Sequence, residues 1–359
     1  MSSVYLDRIE LDLLKVPLKT PYKLAFANVE AFDTLTVSVT LPDGCTGVGE
    51  ATILTGYTEE TLAQCWQAAQ AIGPELLGKP LAAIDDLLSG WRVENPFTAA
   101  AFGSAAEMAA GCATLQAAPA SVPILAILNE TEPADIEAEL ERLLDAGYKT
   151  IGVKVGWNVD ADLVSVRFIQ ETLSARGYSQ DGGCRFVRKL NPNSIELFEQ
   201  PCASGDWNAA VAVKRLADVP MMLDESIYTM ADVEKAATLG AADIIKLKLM
   251  KLGSVERLEK ALARVKDLGF GAVLGNGVAT EIGCWMEACV AAKMVTTAGE
   301  MNGFLKQRRG LFSRPLTVSE GSIQLDRAFA DQLDAEAVAA VRVARVDLRL
   351  PAVTRMIAI

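Results

Sequence analysis

Four short apolar runs each end on a charged residue: Lys154 in TIGVKVG, Glu199 in SIELFEQP, Asp224 in VPMMLDES and Lys248 in DIIKLKLMKLGS. Two cations bracket two carboxylates, the residue types that a metal site between two bases requires. Removing a proton from the carbon beside a carboxylate is hard, because that carbon acid is weak and its product is a dianionic enediolate. A divalent cation held by carboxylates stabilises the developing charge, and a lysine at either face takes or returns the proton. For a lysine to act as base near neutral pH, burial or a neighbouring cation must lower its pKa.

Histidine is absent from the 359 residues. This excludes a Ser-His-Asp triad, a histidine general base and histidine-ligated zinc. Acid–base work falls to Lys, Asp, Glu, Tyr or Cys, and a metal would find mainly carboxylate oxygen, which favours Mg²⁺, with Mn²⁺ as substitute. The net charge of −12 argues against nucleic acid and anionic membrane surfaces as partners. Seven cysteines without a CxxC pair read as free thiols in a reducing compartment. With no basic, then apolar, leader pattern, the expected location is the cytoplasm.

The elements that must position these charges change character along the chain. Residues 8–52 read as an antiparallel meander with a turn at Pro42-Asp43-Gly44, followed by helices over 58–72, 81–91 and 98–116. From about residue 121 strands and helices alternate. VPILAIL, TIGVKVG, IELFEQP, VPMMLDES, DIIKLKLM, GAVLGNG and KMVTTAGEMNG are the expected strands, in a run of TIM-barrel length. Parallel strands of such a barrel bring their C-terminal ends to one rim, so the four charges converge there. One unit is missing from the count: YSQDGG, after Gly177, offers no apolar run. Residues missing at that point are expected rather than a true deletion, because a barrel that lost a strand would have to change its shear.

With those motifs in place, the chain resembles the muconate-lactonizing (muconate cycloisomerase) subgroup of the enolase superfamily. The resemblance implies an α/β chain: an N-terminal α+β capping domain over residues 1–120, a (β/α)7β modified TIM barrel over 121–315, and a segment over 316–359 that returns to the cap. The family's K-x-K at the end of the second strand corresponds to Gly152-Val153-Lys154, so the second lysine is kept and the first is glycine. Glu199 matches the fourth-strand metal ligand, Asp224 the fifth-strand ligand and Lys248 the sixth-strand lysine. The third ligand, from an Asp-x-Asn motif, is expected in the segment absent after Gly177. Lys154 and Lys248 are thus the implied bases, and Mg²⁺ the implied cofactor.

Neighbouring charges take blander readings. Lys246 shares a strand face with Lys248 but lies one step deeper, and Lys251 belongs to the following loop. Glu225 is expected on the opposite face from Asp224. Glu196 and Asp243 sit near strand starts, where charges serve stability.

For substrate, the resemblance implies two closing loops, residues 18–30 and 50–60, with Phe26 and Tyr57 as aromatic contacts. Asn276, in Gly275-Asn276-Gly277, is a further candidate, beside its reading as a relaxed turn. Glu300, at the end of the eighth strand, would repel a dicarboxylate and pair with a cationic nitrogen. That points to an amino-acid-like carboxylate substrate, such as a proline derivative like cis-3-hydroxyproline or a betaine, undergoing β-elimination or epimerisation. Muconate cycloisomerisation and dipeptide or N-acylamino acid racemisation are the alternatives. A true deletion of the third ligand would instead leave a non-catalytic binding protein on a barrel scaffold. A homo-oligomer is expected, with neither nucleic acid nor membrane as partner.

Overall fold

The computed structural model describes residues 4–23, 28–55, 58, 60–116, 119–130, 132–155, 162, 164–166, 169, 195–326 and 333–351. The cap is built on a four-stranded antiparallel sheet. Strands β1 (Arg8–Lys23), β2 (Asn28–Thr40) and β3 (Thr46–Ile53) form the meander expected from the period-2 alternation, with Leu11 paired to Val37 and Val37 to Gly49. The helices are α1 (Leu62–Leu76), α2 (Ile84–Leu87), α3 (Trp91–Glu94) and α4 (Pro96–Ala109). Thr61, rather than Thr58, caps α1, exchanging hydrogen bonds with Gln64 in a capping box.

Small residues set the distance between α4 and the sheet. Cβ atoms added at Gly47 and Gly49 would lie 2.0 Å from the carbonyl oxygens of Ala105 and Ala101. The alanine-rich helix therefore rests directly on β3, and these glycines are required by space rather than by φ.

The barrel half contains β4 (Ala120–Pro123), β5 (Ala126–Leu128), α5 (Pro133–Asp145), β6 (Ile151–Val153), β7 (Phe198–Glu199), α6 (Trp207–Leu216), β8 (Met221–Leu223), α7 (Met230–Leu239) and β9 (Ile244–Leu247). It continues through α8 (Leu249–Leu252), α9 (Val255–Asp267), β10 (Gly271–Leu274) and α10 (Glu281–Met294). The run VPILAIL does not form one strand. Its first half, β4, pairs with β12 (Ser322–Leu325), itself paired to β11 (Thr317–Ser319), whereas β5 joins the barrel by parallel pairing with β6. Strands β7, β8, β9 and β10 pair in parallel in that order.

The eighth strand is reduced to one parallel bridge between Ile124 and Gly299, because α10 extends through Lys293 and Met294. That bridge joins the two ends of the barrel. Counted through the described strands, β6 lies four positions from β9, by way of β5, the segment at Gly299 and β10, and β7 lies four positions from the segment at Glu300. The missing third strand falls between β6 and β7, on residues outside those described. After α11 (Ala335–Val341), strand β13 (Arg342–Arg349) returns to the cap and pairs antiparallel with β1, as expected for the tail.

A buried side chain, Glu50, and a half-buried one, Glu107, tie cap to barrel. Glu50, on β3, accepts from the Thr280 backbone N–H at 2.8 Å and from the Thr280 hydroxyl, at the N-terminus of α10. Burial pushes the Glu50 carboxyl upward despite those bonds. Glu107, on α4, accepts from the Val255 N–H at 2.7 Å, at the start of α9. No helix among the described residues is long and apolar enough to cross a membrane.

Candidate active site

The β7 and β8 strand ends, with the segment after β9, deliver Glu199, Asp224 and Lys248 to one cluster, in which Asp224 and Lys248 are buried and Glu199 is exposed. Asp224 is 2 % exposed and surrounded by ammonium groups: Lys248 Nζ at 2.7 Å from Oδ2, Lys246 Nζ at 3.3 Å from Oδ2 and Lys251 Nζ at 3.3 Å from Oδ1. Burial alone would raise its pKa, but Lys248, Lys246 and Lys251 hold it well below the usual carboxylate range. Glu199 lacks so complete a shell, and burial raises its pKa despite Lys246.

Lys246, given no role from the sequence, occupies the middle of the cluster. Its Nζ lies 2.7 Å from Glu199 Oε1 and 2.5 Å from Glu300 Oε2. Reaching the fourth-, fifth- and eighth-strand positions from the sixth strand requires an ammonium near the barrel axis. Burial works against its charge, yet Glu199, Glu300 and Asp224 hold its pKa well above the ordinary lysine value. The signal was present as Lys246-x-Lys248, since alternation sends both side chains inward. Lys251, expected only in the following loop, joins the cluster too. From α8 it donates to the Asp224 and Ile227 carbonyls at 3.0 and 2.8 Å, fixing the loop that carries Asp224. Burial brings its pKa down to about 8.

Glu225 corrects its expected placement. One oxygen each from Glu199, Asp224 and Glu225 lies within 4.8 Å of the others. Strand β8 ends at Leu223, so the alternation that would send Glu225 to the opposite face no longer applies. Three carboxylates converging in this way form a hard oxygen donor set.

Lys154 lines a cavity of about 360 Å³ together with Gly152, Glu199 and Glu225. Burial lowers its pKa, but Glu300, Tyr22 and Glu199 outweigh that, and the net shift is upward; Lys246 opposes the rise. The expectation of a lowered pKa is therefore not met by these protein groups alone. At Gly152, a Cβ would point at the Ile127 and Leu125 side chains, 2.9 and 3.4 Å away. The cation that the resemblance places at residue 152 is absent, and Lys246 brings one in from the opposite strand.

A model described as Mandelate racemase / muconate lactonizing enzyme, N-terminal domain, matches residues 8–125, and one described as Enolase C-terminal domain-like matches residues 135–329. The chain belongs to the mandelate racemase / muconate lactonizing enzyme family. It is accordingly an enzyme with that family's barrel and cap. L-Ala-D/L-Glu epimerase of Bacillus subtilis (strain 168) is 26 % identical over 89 % of this chain and 93 % of the relative. Muconate cycloisomerase 1 of Rhodococcus opacus is 25 % identical over 90 % and 94 %. The crystal structure of N-succinyl Arg/Lys racemase from Bacillus cereus ATCC 14579 superposes with a TM-score of 0.85 at 20 % identity, covering 97 % of this chain and all of that one. Relatives bear both epimerase and cycloisomerase names, so membership holds for the whole family rather than for its muconate subgroup.

Within this family frame, the substrate candidates fare unevenly. Phe26, Tyr57 and the segment expected to hold the third ligand lie outside the described residues. Glu300 is buried at 8 % exposure and paired with Lys246; burial opposes its charge, but Lys246, Lys154 and Lys306 bring its pKa down to about 2. The argument for a cationic substrate assumed a carboxylate turned towards ligand, and this one is turned towards Lys246. Asn276 is drawn into the turn, its amide nitrogen 2.9 Å from Met250 Sδ and its oxygen accepting from the Val278 N–H. The flanking glycines do not relax φ but clear space: a Cβ at Gly275 would lie 2.6 Å from Glu300 Cβ, and one at Gly277 2.8 Å from Glu300 Oε1. Glu196 and Asp243 do brace the strand starts, accepting from the Thr150 hydroxyl and the Met221 N–H.

Behind Lys248, on α10, Glu287 is fully buried and accepts from the Leu249 N–H at 2.7 Å, while its Oε2 has no partner among the described residues. Burial pushes its pKa from 4.5 to about 8, with Lys248 and Lys246 opposing the rise and Glu50 adding to it. Between these values the folded chain keeps a proton that the unfolded chain releases. This contribution is fully present below pH 4.5 and is lost as pH rises to about 8, at up to about 1.4 kcal/mol per pH unit. Glu287→Gln is expected to remove that slope, melting several degrees above wild type at pH 8 and near it at pH 5. A pH-independent difference between the two melting curves would contradict it.

Proposed function

We propose that the chain catalyses divalent-metal-dependent removal of the proton α to a substrate carboxylate and returns it on the opposite face, an epimerisation of an N-acylated amino acid or dipeptide. The observation that carries this reading is the placement of Lys154 and Lys248 on opposite sides of the barrel, with Glu199, Asp224 and Glu225 between strand ends. Inversion of a carbon centre needs a proton acceptor on one face and a donor on the other, and lysines whose strands lie four positions apart, counted through β5, the segment at Gly299 and β10, would supply both.

The three converging carboxylates fit a hard cation, Mg²⁺ or Mn²⁺. When bound, such an ion supplies Lewis-acid stabilisation of the negative charge that develops on the substrate's carboxylate oxygens. The protein's own groups do the rest. Lys251 and Lys248 fix the Asp224 carboxylate, Lys246 ties Glu199 to Glu300, and Lys154 and Lys248 hold or receive the moving proton.

A cationic proline derivative or betaine is disfavoured because the Glu300 charge is already met by Lys246 and lies close to Lys306. A neutral, acylated nitrogen carries no such requirement. The Bacillus subtilis relative is an L-Ala-D/L-Glu epimerase and the Bacillus cereus one an N-succinyl-L-Arg/Lys racemase, and both names support this choice. The test is exchange of the substrate α-hydrogen in D₂O with Mg²⁺, screened over dipeptides, N-acylamino acids and proline derivatives. Exchange confined to the first two groups is expected; no exchange with any substrate shown to bind would sink the proposal.

A further inference from the structure

We infer that Lys246 is a resident cation which competes with the divalent ion for Glu199 and Asp224, so that metal loading requires its ammonium to be displaced or repelled. The inference rests on the metal reading proposed above. Its Nζ lies 2.7 Å from Glu199 Oε1 and 3.3 Å from Asp224 Oδ2, two of the three carboxylates that converge. An ion bound by those oxygens would stand within a few ångströms of a full positive charge, in surroundings where that charge is poorly screened. The ammonium is anchored as well as close: Lys246 is 2 % exposed, and Glu300 grips it from the segment beyond β10.

The consequence is a site whose carboxylates are neutralised before any metal arrives. Three mutually close carboxylates, with Asp224 buried, would otherwise repel one another and depend on a metal for folding stability. Here the lysine fills that need, so the protein folds without the ion and holds it only weakly. Lys248 and Lys251 add positive charge on the Asp224 side. An anionic substrate carboxylate entering the site restores the charge balance that favours the ion, so metal and substrate should strengthen each other's binding.

Lys246→Met, which keeps the length of the side chain and removes its charge, tests this. Chelator-stripped protein is titrated with Mn²⁺, free ion being read from its EPR signal, and melting is compared in EDTA and in excess Mn²⁺. The expected result is Mn²⁺ binding at least tenfold tighter in the variant than in wild type, a change of about 1.4 kcal/mol. Mn²⁺ should also raise the variant's melting temperature more than the wild type's. Unchanged or weaker binding overturns the inference while leaving the metal site itself intact. Binding by neither protein overturns both this and the metal reading. Should Lys246→Met fail to fold, Lys246→Met/Glu300→Gln removes the carboxylate left uncompensated and carries the same comparison.

Discussion

Asp224→Asn is expected to unfold the protein or abolish its activity. Its carboxylate is the common partner of Lys246, Lys248 and Lys251, and all four groups are buried. An amide of the same shape would leave three ammonium groups without their shared counter-charge and turn an N–H₂ donor towards one of them. Breaking a buried ion pair by removing one partner costs about 3–5 kcal/mol, and here the partner is shared. The linkage has a clear sign. The Asp224 pKa is held low by the lysines, so its contribution is present above the unfolded value of 3.8 and is lost as pH falls towards the folded one. Thermal melts at pH 7 and pH 3 should therefore separate wild type from variant strongly at the first and less at the second. A variant as stable as wild type at pH 7 that still bound Mn²⁺ normally would remove Asp224 from the centre of the site.

The second large effect concerns the lysines on either side of the barrel. If each serves one face of the substrate carbon, Lys154→Met and Lys248→Met should fail in opposite senses. Each variant should lose exchange with one enantiomer by about 10²–10⁴-fold, the usual loss when a general base is removed, and the two should lose different enantiomers. Deuterium incorporation into separately supplied L and D forms reads this directly. Loss of the same enantiomer in both variants would mean one base and a structural lysine. Wild-type exchange in both would remove the pair from the chemistry.

Much of this was legible in the chain before any coordinates. Strand ends that carry Lys154, Glu199, Asp224 and Lys248 declare themselves because an apolar run must stop where the barrel rim begins, and a charge there is either solvated or used. The alternation of strands and helices gave the barrel, and VARVDLRL gave the return to the cap. What was hidden depended on depth and on chain direction beyond a strand's end. Lys246 was discounted because it lies one layer below the rim, where a lysine is costly unless paired, and the three carboxylates that pair it come from different strands. Glu225 is expected on the other face only if alternation is carried two residues past Leu223, where the strand stops. Asn276 and its glycines read as a flexible turn, but their spacing is dictated by Glu300, a residue some 24 positions later that local sequence cannot reveal. VPILAIL reads as one strand because apolarity does not say with which sheet a strand pairs.

The pairing of β1 with β13 bears on how the polypeptide reaches this state. Arg8 bonds to Asp347 across a separation of 339 residues, and the whole barrel is threaded between the two strands. During synthesis the free edge of β1 must wait for the last strand, while every barrel unit has already emerged. Closing so long a loop is entropically slow, and an unpaired edge is a template for pairing with other chains. The nascent protein is thus most vulnerable to aggregation before its cap is sealed. Its yield on refolding from denaturant should depend on protein concentration far more than its final stability does.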